Sequence, residues 1–329
     1  MADHVAESGA WLSLRGLDGA NPLAFLAALG VLRLATVPDE PRPRMRWAMR
    51  EGRWTPLLST GDQTDADLVL NRIGRRLGLE DPKRDTRWYL SPQFGGKIYK
   101  NLKNIPPAGF RDWCLRARSE ARLFSRDAAD FLCAYGCESV TTKSEGAIAP
   151  TKLHFIDGTS RQNYLETAKN LHEFDRSQPR HIKESHLRSA LLEIWKYEDN
   201  RLGFRWDPAD LRQHALMADD PSPLPTQTVW GANLLAFHGT TLLPSFPVGN
   251  RLATVGFLAN SSRQSMRWPI WEPPATLDVT RTVLGLTAGD LLSELKTRGV
   301  VQIFESDKVQ TGESGRAIWS FSPARAVGL

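Results

Sequence analysis

Several groups of side chains in this 329-residue chain are of types that can do chemistry, and their spacing decides what chemistry is open to them. Gly95-Gly96-Lys97 offers a glycine turn with a lysine, but the spaced upstream glycine is missing and Ile98 stands where a magnesium-binding Ser or Thr is needed. Cys133 and Cys137, with Cys114 and His154, are zinc-type ligands at none of the recognised spacings. His181 and His186 are five residues apart, which places them on different faces of a helix and excludes a zincin-like pair. The densest acids, Asp207, Asp210, Asp219 and Asp220, sit around prolines, as turn and capping residues do. No strained Gly-x-Ser-x-Gly turn presents a serine nucleophile. The pattern therefore predicts a binding protein rather than an enzyme, with no metal and no cofactor.

The binding candidates are cationic. The formal charge of the whole chain is +5. From Arg72 to Arg126, however, fourteen basic residues meet five acidic ones, a net +9 that leaves −4 for the rest. Trp88, Tyr89, Phe94, Tyr99 and Trp113 are interleaved with these cations. Cations for phosphates and flat rings for bases are what a nucleic-acid surface needs, although a solvated basic face has the same composition. Within this stretch Lys97, Lys100 and Lys103 recur every third residue in a glycine-bent loop, with Asn101 and Asn104 between them. The three lysines are candidate phosphate contacts, and the two asparagines are candidate nucleic-acid-binding residues beside them. Arg161, Gln162 and Asn163 open a helix, and Asn260, Arg263 and Gln264 lie on a turn between two strands; both sets carry groups able to bond base edges. Simple helix capping is the alternative reading of the first set.

The elements that must position these residues follow from periodicity and capping signals. Asn21-Pro22 predicts the cap and first position of a short helix, Leu23 to Leu34, apolar on nearly every side and so buried on more than one face. Met45–Met49 and Arg53–Leu57 predict a hairpin about Glu51-Gly52. Asp65 to Leu77 predicts a helix stopped by Gly78, with Arg72, Arg75 and Arg76 pointing away from its apolar face. Two helices are expected between Phe110 and Tyr135, the first basic through Arg111, Arg116, Arg118 and Arg122. A loop or hairpin follows from Glu138 to Thr151, then a helix from about Thr159 to Phe174 and another from Pro179 to Tyr197. Asp219 to Pro225 reads as a linker. Beyond it come a second small-residue apolar helix at Val229–Leu243, strands at Val248–Leu258 and Met266–Trp271, helices at Leu277–Leu284 and Ala288–Thr297, and strands at Val300–Glu305 and Ile318–Phe321. The expected fold class is α+β, mixed helices with short antiparallel sheets: an N-terminal α+β unit over 1–135 and a larger α+β body over 136–329. No apolar run approaches the roughly 18 to 20 residues of a membrane span. The N-terminus lacks a signal-peptide pattern, and the three cysteines are too few for a disulfide framework. The expected location is the cytoplasm.

Several stretches are familiar. Gly19-Ala20-Asn21-Pro22-Leu23-Ala24-Phe25-Leu26-Ala27-Ala28-Leu29-Gly30-Val31-Leu32-Arg33 resembles the N-terminal signature of proteins from the U/G subgroup of type I CRISPR systems. Arg205-Trp206-Asp207-Pro208, Ala215-Leu216, Gly231-Ala232-Asn233-Leu234-Leu235-Ala236-Phe237 and Trp268-Pro269-Ile270-Trp271 are similar to later parts of the same group. The resemblance implies a large-subunit-type component of a Cascade surveillance complex, near the 5′ end of the crRNA, that senses the protospacer-adjacent motif while guide pairing reads the rest. The partners it implies are crRNA, target double-stranded DNA, other Cascade subunits in a hetero-oligomer, and a helicase-nuclease recruited after target binding. An RNA-processing or crRNA-backbone subunit of the same complex, or another nucleic-acid-binding scaffold, is the alternative. The chain is shorter than the usual large subunit, and its helices before Val300 are too few for the full C-terminal helical bundle those proteins often have.

Overall fold

Helix α1 (Pro22–Ala35) starts where Asn21 caps it: its side-chain oxygen accepts the Ala24 N–H at 3.2 Å, and Pro22 needs no acceptor. Every residue of α1 is buried, and so is every residue of α7 (Trp230–Gly239). Two helices apolar on all sides can only be central, and they pack against each other through their backbones. A Cβ at Gly30 would lie 1.8 Å from the Leu235 carbonyl oxygen, and one at Gly239 would lie 2.0 Å from that of Leu26. This computed structural model describes residues 10–79, 87–123, 125–142, 146–156, 162–172, 184–199, 203–210, 228–258, 264–287, 292–311 and 318–328.

Around this pair the elements follow the sequence pattern closely. β1 (Leu12–Ser13), β2 (Arg44–Arg50) and β3 (Arg53–Ser59) form an antiparallel sheet in the order β1-β3-β2. Its hairpin turns through Glu51 and Gly52 at φ 49° and 76°, the left-handed pair a two-residue turn requires. α2 (Ala66–Leu77) is capped by Asp65 and closed by Gly78 at φ 65°. β4 (Gln93–Phe94) and β5 (Lys97–Ile98) make a small hairpin, followed by α3 (Pro107–Leu123) and α4 (Asp127–Tyr135). β6 (Gly136–Thr141) and β7 (Ile148–Pro150) are a hairpin, and α5 (Tyr164–His172) and α6 (Glu184–Leu192) come next. Where one strand was expected from Val248 to Leu258, the chain turns at Gly249 and forms the hairpin β8 (Ser245–Val248) and β9 (Arg251–Thr254). β10 (Ser265–Trp271) pairs with the long β11 (Val300–Thr311), which also pairs with β12 (Ile318–Phe321) and β13 (Arg325–Val327). α8 (Leu277–Thr287) and α9 (Leu292–Thr297) fill the crossover between β10 and β11. The fold is α+β, with helices and short antiparallel sheets.

α6 ends at Leu192, before the expected Tyr197, and Tyr197 takes a left-handed φ of 55°. The linker expected at 219–225 lies outside the described residues. One hydrophobic core joins the segments before and after residue 135. Phe25 stacks on Trp47 at 5.9 Å and lies 5.8 Å from Trp268, while the Trp268 and Trp271 indoles donate to the carbonyls of Gly19 (2.8 Å) and Met45 (2.9 Å). No helix among the described residues is long and apolar enough to cross a membrane.

His172 and His238 form a titratable pair in the core. His172 Nδ1 donates to the Ala168 carbonyl at 2.6 Å, and its Nε2 faces His238 Nε2 at 2.8 Å, so one of the two facing nitrogens carries the proton and the other accepts it. Burial first, then the neighbouring His172, Arg33, Arg87 and Arg76, holds His238 well below the ordinary histidine range. The unfolded chain therefore binds more protons than the folded one once pH drops below about 6.5, the unperturbed histidine value. The contribution of His238 should be flat above about pH 7.5 and fall by up to about 1.4 kcal/mol per pH unit below 6.5. Urea midpoints from pH 8 to 5.5 measure this, and His238→Gln should flatten the slope in that window.

Candidate nucleic-acid interface

The lysine loop is built on α3. A Cβ on Gly109, in the first turn of α3, would lie 2.8 Å from the Phe94 ring, so the β4–β5 hairpin rests directly on the helix. The Trp113 indole donates to the Gln93 carbonyl at 3.1 Å and packs edge-on to Tyr99 at 5.8 Å. Gly95 and Gly96, at φ 57° and 77°, make the tight turn that leaves Lys97 exposed, its ammonium 5.2 Å from the centre of the Tyr99 ring. The chain then runs to the start of α5, where the Lys100 carbonyl accepts the N–H groups of Leu165 (3.0 Å) and Glu166 (3.3 Å). The fold thus brings the lysine loop together with Gln162 and Asn163, far apart in sequence.

That meeting also uses up several of the groups expected to face nucleic acid. Asn101 is buried and bonded through Oδ1 to His154 Nε2. Gln162 is buried, and its Oε1 accepts Arg205 Nε at 3.1 Å and Nη2 at 2.7 Å. Asn163 donates to Glu166, whose other oxygen takes the Lys100 ammonium at 2.7 Å. Those donors, Lys100 foremost, hold the Glu166 carboxyl below the usual range. Asn101 and Gln162 therefore do not offer their amides to base edges, and the Lys100 charge is already matched. Lys103 is half-buried and Asn104 exposed. Gln264 is exposed, its carbonyl accepting the Lys308 N–H at 2.8 Å. Arg161, Asn260 and Arg263 lie outside the described residues.

The +9 stretch shrinks in the same way, because acids from outside it fold back onto it. Glu40 takes Arg72 (2.9 Å) and Arg75 (3.1 Å), so Arg72 is buried rather than pointing away as expected. Asp127 takes Arg76 at 3.1 Å, and Asp130 lies 3.6 Å from Arg126. Arg116 pairs with Glu120 at 2.9 Å and covers the Trp88 ring at 4.2 Å. The aromatic residues are also committed: Tyr89, Tyr99 and Trp113 are buried in the core, and Trp88 donates to Glu120. They are packing residues rather than platforms for bases.

A stripe on α3 escapes this neutralisation. Arg111, Leu115, Arg118 and Arg122, spaced by four, three and four residues, fall on one helical face and are all exposed. Among the described residues these three arginines have no ion pair or hydrogen-bond acceptor. The spacing is readable in the sequence, where the three are basic residues of an expected helix, but nothing local distinguishes them from the paired Arg116 beside them.

The residues that carry the resemblance meet in the interior instead. Asn21 Nδ2 donates to Asp207 Oδ1 at 3.0 Å, the Tyr197 hydroxyl donates to Oδ2 at 3.0 Å, and burial holds this carboxyl above the usual aspartate range. Asn233 Oδ1 accepts the Phe204 N–H at 3.0 Å, and Trp268 bonds Gly19. These stretches are a structural node. The three cysteines are free thiols, with burial pushing Cys114 up to about 12, and no group of three or more His, Cys, Asp or Glu among the described residues could hold a metal ion. Comparison with profiles of known protein families and with curated proteins finds no match to this chain.

Proposed function

We propose that the chain is a non-catalytic, motif-sensing subunit of a type I CRISPR surveillance complex, active in antiviral defence. It holds target duplex DNA against the exposed face of α3 and the adjoining Lys97 hairpin. The observation that carries the binding reading is the arginine stripe of Arg111, Arg118 and Arg122, unpaired on a helix whose neighbouring arginines are nearly all matched. Three guanidiniums over three helical turns fit the spacing of backbone phosphates, which position a protein without reading sequence. Base reading is assigned to Gln264, immediately before β10. The assignment to a CRISPR complex rests on the resemblance in the stretches from Gly19 to Trp271.

The test uses purified protein and a labelled duplex library randomised beside a fixed target. Fluorescence anisotropy at several salt concentrations should show binding that weakens steeply with salt, with a preference among the randomised motifs. Magnesium or manganese should produce no cleavage. Salt-independent or absent binding would sink the DNA-holding role. Cleavage of repeat RNA by the protein alone would move it to the RNA-processing subunit.

A further inference from the structure

We infer that a second site, a cleft of about 590 Å³ lined by Arg33, Arg76, Arg126 and Arg281, binds a phosphate group. Four elements meet there: α1 brings Arg33, α2 brings Arg76, the start of α4 brings Arg126, Asp127 and Asp130, and α8 brings Arg281. The floor is built around the two carboxylates. Asp127 Oδ1 takes both Arg33 Nη2 (2.8 Å) and Arg76 Nη2 (3.1 Å). Asp130 faces Arg33 (3.3 Å), Arg281 (3.5 Å) and Arg126 (3.6 Å). At the floor Arg33, only 4% exposed, Arg76 and Arg281 thus share two carboxylates, an excess of +1, with Arg126, 75% exposed, a fourth guanidinium at the mouth.

Asp39, Glu40 and Asp278 also line the cleft, opposed by Arg42. Glu40 is held by Arg72 and Arg75, outside the cleft floor. Asp278 is 70% exposed at the rim, shared between Arg42 and Arg281 at 3.7 and 3.6 Å, and Asp39 is an exposed residue of the loop after α1. Donors also outnumber acceptors. Arg126 and Arg281 reach their carboxylates only at ion-pair distance, and among the described residues neither donates a hydrogen bond. Each guanidinium has five N–H groups in a planar fork that matches phosphate oxygens. Burial lowers the pKa of Arg33, and its guanidinium lies 5.2 Å from the Phe131 ring, so the position of this charge is fixed from below. A compact dianion with several acceptor oxygens supplies what the floor lacks. It arrives either as a free phosphate or as the terminal phosphate of a strand.

Isothermal titration of the full chain with orthophosphate, at constant ionic strength against chloride, tests this. Saturable binding is expected, weakened at least tenfold in an Arg126→Gln, Arg281→Gln double variant. Both residues are partly exposed, so the fold should survive, which circular dichroism checks. The variant lacking Arg111, Arg118 and Arg122 should bind phosphate normally, which separates this site from the proposed DNA face. A 5′-phosphorylated oligonucleotide that competes with phosphate at least tenfold better than its 5′-hydroxyl form identifies a strand end as the source. Competition by neither form identifies a free phosphate. Absence of saturable binding, or binding unchanged in the double variant, overturns the inference.

Discussion

Gly30→Val should leave no folded protein, and Gly30→Ala should cost at least about 3 kcal/mol, at or beyond the upper end of ordinary overpacking. The reason is the partner atom. At Gly30 a Cβ would sit 1.8 Å from the Leu235 carbonyl oxygen, which is backbone inside a helix and cannot swing aside as a side chain does. Relief requires moving α1 and α7 apart. Gly239 opposes Leu26 in the same way at 2.0 Å, so separation would open gaps along the whole crossing, where every residue is buried. Since domains are stable by only about 5 to 15 kcal/mol, the alanine variant should show a much lower urea midpoint and the valine variant should be insoluble. A Gly30→Ala protein with an unchanged midpoint would mean that the helices do not cross there. Gly52, on the open β2–β3 turn, is the contrast: nothing lies within 4 Å of a Cβ there, and only its φ of 76° resists substitution.

Changing Arg111, Arg118 and Arg122 together to alanine should weaken duplex DNA binding about tenfold or more near 0.1 M salt. It should also lower the slope of log K against log salt by up to about 2.7, at ~0.9 per phosphate contact. The loss should be similar for every sequence, because backbone contacts carry no base information. Folding should be unaffected, since all three side chains are exposed and make no ion pair among the described residues. Lys100→Ala is the control. Its ammonium is already held by Glu166 at 2.7 Å, so its removal should leave the salt slope nearly unchanged. Anisotropy titrations of the two variants beside the parent decide the matter. A triple variant that binds as the parent does would transfer the arginine stripe to RNA, protein or solvent.

The sequence by itself determined the elements whose causes are local. Asn21-Pro22 started α1, Asp65 and Gly78 bounded α2, Glu51-Gly52 turned the first hairpin, and the largely apolar composition of 22–35 and 230–239 required that both helices be central. It also determined that Asp207 serves a turn, where it accepts the Ala209 N–H at 3.0 Å. Only the tertiary structure decided which charged and polar groups remain available. A count along the chain cannot know that Glu40, Asp127 and Glu166, all outside the +9 stretch, fold back onto Arg72, Arg75, Arg76 and Lys100. Nor can it know that Asn101 and Gln162 are buried against His154 and Arg205. Helix caps and turns depend on residues within three or four positions of one another. Charge compensation and burial depend on neighbours in space, drawn here from residues tens of positions apart.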